Sequence, residues 1–436
     1  MQRSRIHAGE EPSKETSTSD RPVLPPGGPT PPGNSLQVPK EVVEKLKATV
    51  FGYDTFWITS VENYQDSGVV FQGNVRGKDI AEVYKKMQER LLAAVGDKYQ
   101  LYLLEDRESR PTAVVLPRGE GMDETIDKGT EVWLATLFGI ATVVTTINSN
   151  GAPLLQWMVS PFYTLLTPEM LQDAAPATLL LWFILGSHEF GHWQAAKRHG
   201  LETYLPFVIP AGFGFVGSFG AITRLRKPAP NRNVLLDFAV SGPALGTGVS
   251  AAMLLMGFGL TRVGIADLSI DPIAFADSLG IQLAAFLFIG EASLAQSEIP
   301  VSSLLIAGWA GLIVNALNLI PAGELDGGRM SLAVFGRRTS GGLGALAVVM
   351  LGIGSFTSTL ALYWVIFLVL LQRGPVLPCN EELSAPPEGD QRNTAIALLM
   401  LPLLILVPYP VDLLDALVQA LDPQSSFASD FANFTL

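Results

Sequence analysis

His188-Glu189-Phe190-Gly191-His192 is the stretch whose residue types and spacing carry the clearest chemistry. Residues four apart lie on one face of a helix, so the two imidazoles can address one metal ion. Glu189 stands beside them, where water activated by zinc needs a base. The chemistry implied is metal-assisted hydrolysis. The stretch closes a run, residues 174–187, that contains no charged residue. Ionisable groups inside so apolar a helix are costly, and by default they mark a functional site.

The rest of the ligand set is constrained by what the chain lacks. Cys379 is the only cysteine, which excludes an intrachain disulfide and a cysteine-based metal cluster. The ligands must then be histidines and carboxylates. The four histidines are His7, His188, His192 and His199. A catalytic zinc usually takes three protein ligands and keeps one position for water. His199 falls on roughly the same face as His192, but it follows Lys197-Arg198 and precedes Gly200, so it also reads as an interfacial cap. Asp326 is the better candidate: it follows an apolar span and is flanked by Leu325 and Gly327-Gly328. A lone Asp after a helix is often only a cap, and Glu324 is a weaker rival. His188 lies deep in its helix, roughly 20 Å from the start at ~1.5 Å per residue. Hydrolysis there implies a polar channel from the basic end.

The elements that must position these residues belong to a membrane. The chain has 436 residues, mean hydropathy +0.32 and 16% charged residues, against about 25% in soluble domains. A net charge of −12 argues against a nucleic-acid partner. Apolar runs predict a polytopic α-helical membrane protein of roughly six to eight spans, at about 20 residues per span. Residues 1–38, rich in Pro, Gly, Ser and Thr, read as a disordered tail without a secretory signal. Residues 39–118 read as a small N-terminal soluble α+β domain in the order α-β-β-α-β-β, a structural or docking module. Within it Gly73-Asn74-Val75-Arg76-Gly77 reads as a polar turn, with Gly73, Asn74 and Arg76 as candidates for a binding role. An acidic linker over 119–131, a membrane domain over 132–412 and an acidic tail over 413–436 complete the order.

Residues 205–223 differ from the other apolar runs. Their many Gly and Pro residues argue for a hairpin or re-entrant loop lining a cavity beside the metal site. Gly217, Ser218, Phe219 and Gly220 are candidates for substrate contact there, by strand addition to an unwound peptide. Gly242 and Gly246 have the small-xxx-small spacing of close helix contact. Lys197, Arg198, Arg224, Arg226, Lys227 and Arg232 cluster after the H-E-x-x-H helix, and Arg329, Arg337 and Arg338 follow Asp326. The positive-inside rule puts both segments, and Asp326, on one side.

With these residues in place the chain resembles the site-2 protease family of intramembrane zinc metalloproteases. The matching motifs are His188-Glu-Phe-Gly-His192 and Asn318-Leu-Ile-Pro321-Ala-Gly-Glu-Leu-Asp326-Gly. Gly73-Asn-Val-Arg76-Gly-Lys, Gly217-Ser-Phe-Gly-Ala-Ile-Thr-Arg224 and Leu371-Gln-Arg-Gly-Pro375 resemble its plastid branch, named for ethylene-dependent gravitropism deficiency and yellow-green leaves, and most like its second member. Phe190 stands where Leu is common. The resemblance implies Zn2+ held by His188, His192 and Asp326, Glu189 as base, and Asn318 positioning substrate or stabilising an intermediate. It implies a chloroplast membrane, the thylakoid, with membrane proteins as substrates and a role in chloroplast development; a homo-oligomer is compatible with it. A metal-binding scaffold or chaperone would not need Glu189. A metal transporter would need a relay of ionisable groups, and only Asp326 and Asp237 offer one.

Overall fold

The computed structural model describes residues 38–64, 68–106, 109–118, 127–211, 217–356, 358–371 and 376–409. The tails expected at the two ends, most of the acidic linker, the middle of the Gly-rich stretch and residues 372–375 of the last motif lie outside them.

The first elements are helix α1 (Lys40–Thr49), strands β1 (Phe56–Tyr64) and β2 (Gly68–Val75), helix α2 (Ile80–Val95), and strands β3 (Tyr99–Glu105) and β4 (Pro111–Pro117). This is the α-β-β-α-β-β order expected. The Asp79 carboxylate caps α2 by accepting from the amides of Ala81 and Glu82, and Gly96 ends the helix at φ 66°. The strands form one antiparallel sheet in the order β1-β2-β4-β3. Alternate residues Val69, Phe71, Leu101, Leu103, Ala113 and Val115 pack in a core with Leu46, Met87 and Leu91 from the helices. Burial pushes the Tyr84 phenol well above the usual tyrosine range, which keeps it a donor to the Leu101 carbonyl at 3.0 Å. The β3 edge is not left open: Leu103 exchanges backbone hydrogen bonds with Asn380 (2.8 Å) and Glu382 (2.9 Å).

Among the described residues the remainder is mainly helical, with two short two-stranded sheets. In chain order it comprises α3 (Lys128–Ser149), α4 (Leu154–Val159), α5 (Pro168–His199), β5 (Phe207–Pro210), β6 (Ser218–Ile222), α6 (Arg232–Arg262), β7 (Leu268–Ile270), α7 (Leu279–Phe288), α8 (Glu291–Leu294), β8 (Ile299–Val301), α9 (Ser303–Asn318), α10 (Asp326–Gly354), α11 (Thr359–Leu371) and α12 (Asp390–Ile405). Among the described residues three helices, α3, α5 and α6, are long and apolar enough to cross a membrane, with 22, 32 and 31 residues. At ~1.5 Å per residue they reach roughly 33 to 48 Å, against a hydrocarbon layer of ~30 Å. Their outer faces carry exposed Trp133 and Ile140 on α3, Leu179 and Phe183 on α5, and Leu255 and Met256 on α6. Apolar side chains turned outward in this number suit contact with lipid.

Three boundaries differ from the sequence reading. Helix α3 starts at Lys128, inside the stretch read as linker, because the Asp127 carboxylate accepts from the amides of Gly129 and Thr130. The apolar span before Asp326, which the sequence places over residues 299–320, is not helical throughout: Ile299–Val301 pairs with β7, and the Ser302 side chain then caps α9. Asp326, read as closing the apolar span, is separated from the end of α9 by residues 319–325. It opens α10, which is broken at Gly336 (φ 81°) into two segments. The buried Arg232 side chain donates to the carbonyls of Ala333 (2.9 Å) and Val334 (3.2 Å), satisfying the end of the first segment.

Candidate metal centre

Helix α5 presents His188 and His192 one turn apart to the helices behind it. The sequence α5 carries around them is apolar, and the helix ends at Gly200 in the left-handed conformation. Two glycines of α6 let the helices approach. A Cβ on Gly242 would lie 2.3 Å from His192 Nε2, and one on Gly246 would lie 2.5 Å from Asn315 Oδ1 and 3.0 Å from His188 Cβ. The small-xxx-small pair therefore makes room for the two imidazoles rather than only for a helix contact.

The second nitrogen of each ring is tied to the surrounding helices. His188 Nδ1 donates to Asn315 Oδ1 at 2.9 Å, and the Asn315 amide in turn donates to the Gly311 carbonyl. His192 Nδ1 donates to the Phe238 carbonyl at 3.0 Å. A backbone carbonyl can only accept, so Nδ1 of His192 carries the proton and Nε2 presents a lone pair. The Asn315 orientation fixes the same tautomer for His188.

Those two lone pairs point together. His188 Nε2 and His192 Nε2 are 3.1 Å apart, and each is 3.2 Å from Asp326 Oδ2. All three residues are buried. Three acceptors facing one another without a donor repel, and a cation resolves the arrangement. Donors around a tetrahedral zinc at ~2.0–2.1 Å stand about 3.3 Å apart, close to the spacing found. The donor set therefore fits zinc.

The rivals for the third position have other partners. His199 Nε2 meets Asp237 Oδ2 at 2.5 Å, in a cluster with Arg198 and Gln391. Glu324 faces Arg224 at 3.5 Å. Glu189 lies on the α5 face turned toward β6: its Oε2 accepts from the Thr223 hydroxyl at 2.5 Å, and its Oε1 is buried with no hydrogen-bond partner among the described residues. Asn318, buried at the end of α9, packs directly against Gly220 of β6.

Strands β5 and β6 form the antiparallel hairpin expected from the Gly- and Pro-rich stretch, with Phe207 opposite Ile222 and Val208 opposite Ala221. Helix α3 holds it from one side, through Thr142 donating to the Val208 carbonyl (3.2 Å) and Thr145 to the Gly217 carbonyl (2.7 Å). Ser218 hydrogen-bonds across the hairpin to the Ile209 carbonyl, and the Phe219 ring lies tilted against Trp364 of α11, with centroids 5.3 Å apart. Gly73, Asn74 and Arg76 are elsewhere: Gly73 pairs with Ile58 beside a bulge, and the Arg76 amide bonds to the Thr55 carbonyl. They make no hydrogen bond to the cluster.

Sequence reasoning missed Asn315, the Phe238 carbonyl and Thr223. Asn315 had a signal, since it lies one turn before Asn318 on a helix with no other polar side chain nearby. The Phe238 carbonyl had none. Gly242→Ala is expected to displace the His192 ring, lowering zinc affinity by at least ~10-fold. Metal analysis of the purified variant after dialysis against a weak chelator checks this.

Comparison with known proteins agrees with this geometry. Residues 176–357 match Peptidase family M50, and residues 44–123 match the EGY3 middle domain. The chain is 39% identical over 378 residues to "Probable zinc metalloprotease EGY2, chloroplastic" of Oryza sativa subsp. indica, spanning 86% of this chain and 68% of the relative. It is 36% identical over 379 residues to the EGY2 protein of Arabidopsis thaliana, covering 86% and 66%. It is 31% identical over 393 residues to "Probable zinc metalloprotease EGY1, chloroplastic" of Arabidopsis thaliana, covering 84% and 71%. No solved structure matches the chain. With relatives of this identity and coverage, the chain belongs to peptidase family M50, the site-2 family of zinc-dependent peptidases, in the branch that includes EGY1, EGY2 and EGY3.

Proposed function

We propose that this chain hydrolyses peptide bonds inside the membrane-spanning segments of chloroplast membrane proteins, in the thylakoid, with His188, His192 and Asp326 holding zinc and Glu189 as base. The observation that carries the reading is the buried convergence of two imidazole lone pairs and one carboxylate within 3.1–3.2 Å, with both histidines on a helix long enough to span a bilayer. Bound zinc supplies Lewis-acid chemistry, polarising carbonyl and water oxygens.

The chain's own residues do the rest. Glu189 takes a proton from the attacking water and passes it to the leaving amide nitrogen. A helical substrate has its carbonyls internally bonded, so it must unwind before it can be cut. Hairpin β5–β6, with Gly217, Ser218, Phe219 and Gly220, offers an extended edge on which the unwound segment pairs. Asn318, against Gly220, orients the substrate backbone. The architecture is a polytopic domain of roughly six to eight spans, over residues 132–412, preceded by an α+β domain over 39–118 that serves in structure or docking.

Reconstitution of the full chain in liposomes with a single-span reporter tests the reading. Cleavage within the apolar segment is expected, lost on adding 1,10-phenanthroline and regained with zinc. Cleavage that ignores the chelator, or that falls only outside the apolar segment, contradicts it.

A further inference from the structure

Thr223 immediately follows β6 and is bonded on two sides. Its hydroxyl donates to Glu189 Oε2 at 2.5 Å, and its carbonyl accepts from Arg329 Nη1 at 2.8 Å. Arg329 is itself buried, stands 3.6 Å from Asp326 Oδ1, and lies over the ring of Phe238 at 5.7 Å. Phe238 is the residue whose carbonyl fixes His192. One residue of the hairpin thus joins the helix carrying Glu189 to the helix carrying Asp326.

The two oxygens of Glu189 are made unlike by this contact. Oε2 is engaged by Thr223, whereas Oε1 is buried and has no hydrogen-bond partner among the described residues. A carboxylate on a flexible side chain holds one orientation only if something donates to it, and outer hydrogen bonds of this kind commonly set the geometry of catalytic groups. Thr223 donates the hydrogen bond that engages the Glu189 carboxylate. Its own placement is over-determined, by Arg329 and by the ladder continuing on either side of it: Ile222 pairs with Phe207, and the Arg224 carbonyl accepts from the Tyr204 amide at 2.9 Å.

We infer that Thr223 is a positioning residue for Glu189: its hydroxyl holds the carboxylate through Oε2 and leaves Oε1 as the oxygen that takes the proton. This rests on Glu189 being the base. It gives the hairpin a second task, because the strand on which an extended substrate would pair also sets the orientation of the base. Catalytic rate then depends on the seating of β6 and not only on substrate binding.

The test compares Thr223→Val, which keeps the branched shape and removes the donor, with Thr223→Ser, which keeps the donor. Full-length protein in detergent is assayed on fluorophore-labelled casein as an unfolded probe, with Glu189→Gln alongside and zinc per chain measured for each. Thr223→Val is expected to lower kcat by roughly 10- to 100-fold. KM should stay within about twofold, as for loss of an interaction that does not bind the ground state. Zinc content should be unchanged, and Thr223→Ser should recover most of the rate. If Thr223→Val turns over like the wild type while Glu189→Gln is inactive, this inference fails and the proposed function stands. Equal losses in the Val and Ser variants, or loss of zinc with the rate, also overturn it, since the hydroxyl would not be the cause. Full activity in Glu189→Gln would remove the proposed function and this inference together.

Discussion

Asp326→Asn is expected to cost the protein its zinc and with it all measurable cleavage. Asp326 Oδ2 is the one anionic donor in the cluster, 3.2 Å from both imidazole nitrogens. Two neutral imidazoles alone leave a zinc ion short of the three protein ligands a catalytic site uses. Affinity should fall by more than ~100-fold, beyond what loss of an outer hydrogen bond costs. Asn is a cleaner replacement than Ala, because it keeps the volume and can still accept a hydrogen bond. Ala would also open space beside the buried Arg329, which is 3.6 Å from Asp326 Oδ1. The measurement is zinc per chain by elemental analysis, alongside the rate. A variant that retains one zinc per chain would show that Asp326 is not a ligand.

Glu189→Gln should behave differently. Glu189 is not among the three converging groups, and its carboxylate is directed at Thr223. Gln can still accept the Thr223 hydrogen bond through its carbonyl oxygen, so the fold and the metal should persist. What it cannot do is take a proton. Loss of a general base is expected to lower kcat by ~10²- to 10⁴-fold with zinc content intact. Rate loss without metal loss separates the base from the ligands. A non-proteolytic scaffold would be indifferent to the change.

Much of this was legible in the sequence because local rules and the membrane pointed the same way. The i, i+4 spacing put His188 and His192 on one face, and with a single cysteine in the chain and His199 reading as a helix-end cap, a carboxylate was the better candidate for the third position. Asp79 and Gly96 marked the ends of α2. The Pro- and Gly-rich stretch could not make a straight helix, and it forms the β5–β6 hairpin. The failures were of two physical kinds. The helix start at Asp326 went unread, because glycines such as Gly327 and Gly328 usually end helices. Here Gly327 begins one, since a Cβ on it would lie 2.1 Å from the Leu319 carbonyl, and only glycine lets α10 start so close to the end of α9. The second kind is contact distant in sequence. The Phe238 carbonyl on His192 and the Thr223 hydroxyl on Glu189 span 46 and 34 residues. Any residue type offers a backbone carbonyl, so no periodicity could single out Phe238.

The central claim is that this buried site cuts membrane-embedded chains through Glu189. The most direct measurement compares chloroplast membranes carrying the wild-type chain with membranes carrying Glu189→Gln at equal abundance, by mass spectrometry of protein termini. The account predicts new termini within apolar membrane segments in the first sample that are missing from the second, with the uncut precursors accumulating there. Identical sets of termini in the two samples would contradict it.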